Sequence, residues 1–134
     1  MGNLYDPLRK KEVAPTPEEH VRQWFIGVLS GSMGVPMHMM MSEVSLKLPS
    51  GKPQRADIVV WDRSGAPLMV VECKRPEVEL TAEVAAQALR YIQGLPARYI
   101  AITNGHGTYI YIKEDGVFRS CAALPAWEEM LCQP

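Results

Sequence analysis

The spacing of apolar residues changes along the chain, and each change marks an element. After an N-terminal stretch without periodicity, Val21, Trp24, Phe25, Val28 and Leu29 recur at intervals that put them on one stripe of a helix. Thr16-Pro17-Glu18-Glu19 supplies the start, with Thr16 as N-cap, Pro17 at the first helical position and Glu19 completing a capping box. Gly31 is the expected stop. From Ser42 to Leu48 the period drops to two, with Val44, Leu46 and Leu48 inward and Glu43, Ser45 and Lys47 on a solvated face. After a turn at Pro49-Ser50-Gly51-Lys52-Pro53, the stretch Arg55 to Lys74 holds two Val-rich runs around Asp62-Arg63-Ser64-Gly65-Ala66-Pro67, a hairpin pattern. Both runs are apolar at odd and even positions, so both strands are expected in the middle of a sheet, covered on each side. Arg75-Pro76 stops the second run. Thr81 then caps a helix from Ala82 to Gln93, Ala97 to Thr103 reads as a buried strand, and Thr108 to Lys113 pairs back after the turn Asn104-Gly105-His106-Gly107. His106 is read as a turn surface residue. The Met-rich segment 32–41 is expected to fill gaps in the core, and the apolar tail after Val117 to form a short helix. The order helix, three strands, helix, two strands is an α/β domain with a mixed sheet. Residues 1–134 read as one domain, with 1–15 as an arm, 16–113 as the core and 114–134 as a tail.

Three charges interrupt the central hairpin: Asp57, Glu72 and Lys74. Charge on a strand covered from both sides is costly unless it is paired or bound to a metal. If the turn centres on Ser64-Gly65, residue 61 pairs with 68 and Asp57 faces Glu72, with Cβ atoms about 5 Å apart. Lys74 lies two residues beyond Glu72 and shares its side of the strand. Two carboxylates that close repel each other unless a cation intervenes, and a hard divalent ion held by carboxylate oxygens meets that need. Cys73 points away from Glu72, so no Cys–His or Ser–His nucleophile pairing is apparent.

Asp57 followed by Glu72-Cys73-Lys74 resembles the PD-(D/E)XK nuclease signature, with Ala56 where the motif has Pro. Thr16-Pro17-Glu18-Glu19-His20-Val21-Arg22-Gln23 and Gln87-Ala88-Leu89-Arg90-Tyr91 resemble the flanking motifs of the N-terminal nuclease domain of type I restriction enzyme R subunits. The arm Tyr5-Asp6-Pro7-Leu8-Arg9-Lys10-Lys11 is similar to the opening of stand-alone versions of that domain. The resemblance spans roughly Tyr5 to Lys113. It implies a restriction-endonuclease-like mixed β-sheet flanked by helices, with Asp57, Glu72 and Lys74 as catalytic residues. Mg²⁺, or Mn²⁺ in its place, would be held by Asp57, Glu72 and the Cys73 backbone carbonyl. It also implies a site glutamate on the first helix, four residues before an arginine, which Glu18 matches; the plainer role for Glu18 is a carboxylate at a helix N-terminus. Gln87 and Tyr91, one turn apart on the second helix, match an accessory motif that orients the site or touches DNA, and are otherwise a polar helix edge.

Composition narrows the function classes. At 47% apolar and 22% charged residues the chain is globular. No apolar run reaches a membrane span and the start has no signal-peptide pattern, so a cytoplasmic protein is expected. Three Cys without paired spacing argue against disulfides and zinc. There is no Gly-x-x-x-x-Gly-Lys-Ser/Thr loop, so no ATPase of its own is expected. The net charge of −1 leaves any DNA contact to local clusters: Arg9-Lys10-Lys11, Lys47 with Lys52 and Arg55, and Lys74-Arg75. Two functions remain open. One is a metal-dependent nuclease acting on DNA, with restriction-modification or motor subunits as partners. The other is a non-catalytic module that keeps the fold and binds nucleic acid or protein. The near-neutral charge favours the second, and the charged residues on central strands favour the first.

Overall fold

The computed structural model describes residues 2–132. Two short strands, β1 (Leu4–Asp6) and β2 (Lys11–Val13), pair within the N-terminal arm. Helix α1 (Pro17–Gly27) leads to β3 (Met40–Lys47), β4 (Pro53–Trp61) and β5 (Pro67–Cys73); α2 (Ala82–Ile92) then leads to β6 (Tyr99–Thr103), β7 (Thr108–Glu114), β8 (Val117–Ser120) and α3 (Trp127–Cys132). The last six strands before α3 form one sheet in the order β3-β4-β5-β6-β7-β8. Every neighbouring pair is antiparallel except β5 and β6, which run parallel because α2 carries the chain back between them. The mixed α/β architecture follows the order expected from the pattern, with β8 added beyond it. That strand is short and alternates weakly, and it is held by pairing with β7 and by Lys113 lying 5.2 Å over the Phe118 ring.

The two faces of the sheet carry separate cores. Val21, Phe25 and Leu29 from the first helical segment, with Trp127 and Met130 of α3, pack on Ile58, Val60, Met69 and Val71. On the other face Ala85, Leu89 and Ile92 of α2 pack on Val59, Val70, Ile100 and Ile102. This division explains why the middle of the hairpin, Ile58–Val60 on β4 and Leu68–Val71 on β5, is apolar at every position. Met33 and Met40 are buried in the first core, while Met37 and Met41 are exposed.

Both helices begin as their sequences predict. Thr16 Oγ1 accepts from the Glu19 N–H at 3.2 Å and Thr81 Oγ1 from the Val84 N–H at 3.2 Å. The reciprocal half of the capping box at Thr16 is absent: the Thr16 N–H donates to the Ala14 carbonyl, and the Glu19 side chain is engaged elsewhere. Gly31 does not stop the first helix. The chain continues through a π-helical turn, Val28–Ser32, closed by the Met33 N–H on the Val28 carbonyl, and reverses at Gly34 with φ of +75°.

The central hairpin keeps the expected register along most of its length, Ile58 with Val71, Val59 with Val70 and Val60 with Met69. It slips by one at the turn end, where a bulge pairs Trp61 with Pro67 rather than Leu68. A second irregularity lies at the other end. The β3–β4 ladder pairs Ser42 with Ile58 and Val44 with Ala56 but skips Glu43 and Asp57 between them, and Glu43 has φ of +55°. Residues of one parity change face across this break. Met40, Ile58 and Val60 belong to the core under α1, whereas Val44, Leu46 and Ala56 belong to the core under α2. The β3–β4 hairpin therefore bends over α2, and its turn comes close enough that a Cβ on Gly94 would stand 3.0 Å from Pro49.

Two glycine substitutions check the helix end. A Cβ meets nothing within 4 Å at either Gly31 or Gly34, so only backbone preference separates them. Gly34→Ala forces an L-residue into the left-handed region and is expected to cost about 1–2 kcal/mol. Gly31→Ala, inside a helical turn, is expected to stabilise by about 0.5–1 kcal/mol. Denaturant melts of the two variants give these opposite signs; a stabilising Gly34→Ala would place the reversal elsewhere.

Candidate active site

The break in the ladder leaves Asp57 without a strand partner on β3, and side chains take over its main-chain contacts. Its Oδ2 accepts from the Cys73 N–H at 2.7 Å, so the carboxylate is tied to the main chain of β5. Its carbonyl receives a long contact, 3.5 Å, from Arg22 Nη1 on α1. Burial raises the Asp57 pKa above the ordinary carboxylate value, and the Cys73 amide, Arg22, Lys74 and Arg55 together do not fully offset it. One further step in the β4–β5 register brings Asp57 level with Glu72. Glu72 is half-buried and its Oε2 lies 3.1 Å from Lys74 Nζ. Asp57 thus lies midway along β4, at the break in its ladder with β3, while Glu72 and Lys74 lie at the C-terminal end of the adjacent strand β5. The Cys73 side chain turns into the core under α1, and its thiol is pushed well above the ordinary range by burial and by neighbouring Asp57. It is a poor nucleophile there.

The two glutamates of α1 exchange the places that the capping pattern predicts. The Glu18 side chain is 48% exposed and pairs with Arg75 at 3.4 Å. Glu19 is buried, and it accepts from Arg9 Nη2 at 2.7 Å and Gln23 Nε2 at 3.0 Å. Arg22 Nε lies 3.2 Å from Glu19 Oε2, close enough for charge pairing though not aligned as a hydrogen bond. Glu43 is exposed, as expected of that face of β3, and it also receives three guanidinium groups: Arg55 at 2.7 Å, Arg9 at 3.3 Å and Arg22 at 3.4 Å. Burial alone would raise its pKa; Arg22, Arg9 and Arg55 hold it below the ordinary value. Asp6, fully buried in the arm, accepts from the Leu8 N–H at 2.8 Å and from Arg9, and these bonds overcome its burial and keep it ionised. The arm's basic tip therefore points one guanidinium inward. The signal missed in the sequence was the spacing of Glu19 to Arg22 and Ile26, which places Glu19 on the buried side of α1.

The remaining candidates lie apart. Gln87 and Tyr91 are exposed on the outer side of α2, Tyr91 at 72%, and Gln87 lines a shallow cleft with Glu83 and Arg90. The Arg55 side chain is 65% exposed on β4, two residues from Asp57. His106 is exposed in the turn before β7. A separate cleft of about 440 Å³, lined by Trp24, Val28, Ile110 and Leu124 among others, is apolar and holds none of the charged candidates. Among the described residues no helix is long and apolar enough to cross a membrane.

Asp57 and Glu72 suit a hard cation by their chemistry. Both are oxygen donors, and Asp57 is a partly buried carboxylate short of counter-charge. Among the described residues no set of three or more His, Cys, Asp or Glu is arranged to hold an ion. Mg²⁺ keeps much of its water and needs only one or two carboxylates, so a two-carboxylate site fits it.

Comparison with known proteins places the chain. A family model described as "Type I restriction enzyme R protein N terminus (HSDR_N)" matches residues 17–125. Among solved structures, a fragment of a candidate HsdR subunit of a type I restriction enzyme from Vibrio vulnificus YJ016 is similar, with a TM-score of 0.61 at 19% identity over 86% of this chain. This chain spans 24% of that one, about a quarter of its length. A candidate nuclease of the DUF820 group from Anabaena variabilis ATCC 29413 aligns over 87% of this chain and 74% of its own, at 12% identity and a TM-score of 0.49. Among curated protein sequences none matches significantly.

The raised Asp57 pKa has a sign that can be measured. The folded chain holds that proton more tightly than the unfolded chain, so ionised Asp57 costs stability at neutral pH, and the cost disappears as pH falls to the ordinary Asp value. In chelator, Asp57→Asn should melt higher than the wild type at pH 7, with the difference shrinking as the pH is lowered. A variant that melts lower at pH 7, by the same margin in acid, would mean that the surrounding cations fully compensate this carboxylate.

Proposed function

We infer the function of this chain from one premise: it belongs to the type I restriction enzyme R protein N-terminal family. On that premise it is a divalent-metal-dependent nuclease domain that hydrolyses DNA phosphodiester bonds. The observation that supports this most directly is Asp57, tied to the β5 main chain at Cys73 beside the Glu72–Lys74 pair. A binding fold has no need of two carboxylates on adjacent central strands with an ammonium beside them.

Asp57 and Glu72 are the ligands, with the Cys73 carbonyl as a third. Mg²⁺ or Mn²⁺ bound there would polarise the scissile phosphate and lower the pKa of an attacking water. Lys74 neutralises Glu72 in the free protein. With Glu72 engaged as a ligand, the ammonium turns to the attacking water or to the charge developing on the phosphate. Arg55, exposed two residues from Asp57, meets the DNA backbone, and Gln87 and Tyr91 offer a polar and an aromatic contact on α2. Glu18, exposed and paired with Arg75, lies at the rim. Target choice comes from a restriction-modification or motor subunit, since no base-reading element stands out.

The alternative, a module that binds nucleic acid or protein without cleaving it, draws on the net charge of −1 and on the Glu72–Lys74 ion pair. One set of variants separates the two. Lys74→Met should still bind Mg²⁺ in calorimetry, and its cleavage of plasmid, single-stranded and forked DNA should fall about a hundredfold, the scale of one lost electrostatic donor. Glu72→Gln should lose the metal without unfolding. A wild-type protein that binds no divalent ion and cleaves none of these substrates would support the binding module.

A further inference from the structure

We propose that Glu43 is a positioning residue for the site: through Arg22 it fixes the bend in β4 that presents Asp57 to the β5 main chain. Four observations meet at this residue. Glu43 has φ of +55° in mid-strand, a conformation L-residues rarely adopt. It sits where the β3–β4 ladder skips a pair, opposite Asp57. Core residues change face across this point, which sets the bend there. Its carboxylate holds Arg22 at 3.4 Å, and the same guanidinium reaches the Asp57 carbonyl at 3.5 Å and Glu19 at 3.2 Å.

The physical sense runs from backbone to site. A regular ladder would pair residue 43 with Asp57, and the main chain of β4 would stay flat. The left-handed turn at Glu43 removes that pair and leaves the Asp57 carbonyl to a side chain. Strained backbone persists only where its surroundings over-determine it, and here three guanidinium groups hold the Glu43 carboxylate. Arg9 arrives from the arm and Arg55 from β4 itself, so Glu43 joins the arm, α1 and the bent strand. Glu43 touches no reacting atom; it acts through Arg22. Its importance for catalysis rests on the nuclease reading, but the positioning of Asp57 does not.

The test reads the Cys73 amide, whose proton is held by Asp57 Oδ2. Hydrogen–deuterium exchange is followed without metal or DNA in the wild type, Glu43→Gln and Glu43→Gly. Gln keeps the size and loses the charge; Gly relieves the backbone and loses the carboxylate. Both are expected to speed exchange at Cys73 by about tenfold relative to Met69 and Val71 on the same strand, the scale of one lost hydrogen bond. Loss of protection across all of β5 would be general destabilisation, and no change at Cys73 would mean that Asp57 is held without Glu43; either result overturns the proposal. Mn²⁺ titration of the same proteins is expected to show weaker binding in both variants. Failure of the nuclease reading shows separately, as absence of Mn²⁺ binding in the wild type.

Discussion

Arg22 lies at the junction on which the arrangement of charges depends. It is almost wholly buried in α1, between Glu19 of its own helix, Glu43 of β3 and the main chain of β4 at Asp57. A buried guanidinium is strongly desolvated, and losing one partner of a buried pair costs about 3–5 kcal/mol because the other charge is left uncompensated. The carboxylates around it are therefore as necessary to α1 as the apolar stripe that packs the helix on the sheet. Arg9 extends the same balance into the arm, where Asp6 and the Leu8 N–H fix the turn that carries it. Three carboxylates, Asp6, Glu19 and Glu43, face three guanidinium groups, Arg9, Arg22 and Arg55, so the cluster is neutral as a whole.

This neutrality bears on how a chain of net charge −1 could approach a polyanion. The cations grouped as basic clusters in the sequence are in part committed to ion pairs. Arg9, grouped with Lys10 and Lys11 as a basic tip, spends its charge on Asp6, Glu19 and Glu43. Arg55 is bound to Glu43 but remains largely exposed, and Lys74 is bound to Glu72. Cations held by exposed carboxylates are exchangeable; those held in the interior are not.

Burial acts in opposite ways on the two acidic groups nearest this junction. Glu43 is kept ionised because cations surround it, while Asp57 is pushed towards protonation because burial outweighs the cations within reach. The difference follows from position: Glu43 lies at the sheet edge among long side chains from three elements, and Asp57 lies one strand further in, against a backbone amide.

The chain's pattern determined its own elements and where charge interrupts them. Alternation in Ser42 to Leu48, the doubly apolar runs of the hairpin, the Thr caps and the Gln87–Tyr91 spacing are local signals, and the expected elements stand where those signals put them. Asp57, Glu72 and Lys74 were legible because charge stands out on strands covered from both sides. Only the tertiary structure decided the rest. Glu19 shares the buried side of α1 with Arg22 and Ile26, a local spacing, but its pairing with Arg9 comes from the arm and no local pattern indicates it. Glu43 faces solvent as its alternating strand implied, but period two carries no information about the break in the neighbouring ladder or the three guanidinium groups gathered there. Gly31 was the expected stop, but the chain continues through a π-helical turn and reverses at Gly34. The Arg9–Glu19 pair and the cluster on Glu43 join residues from different elements, which a local pattern cannot encode.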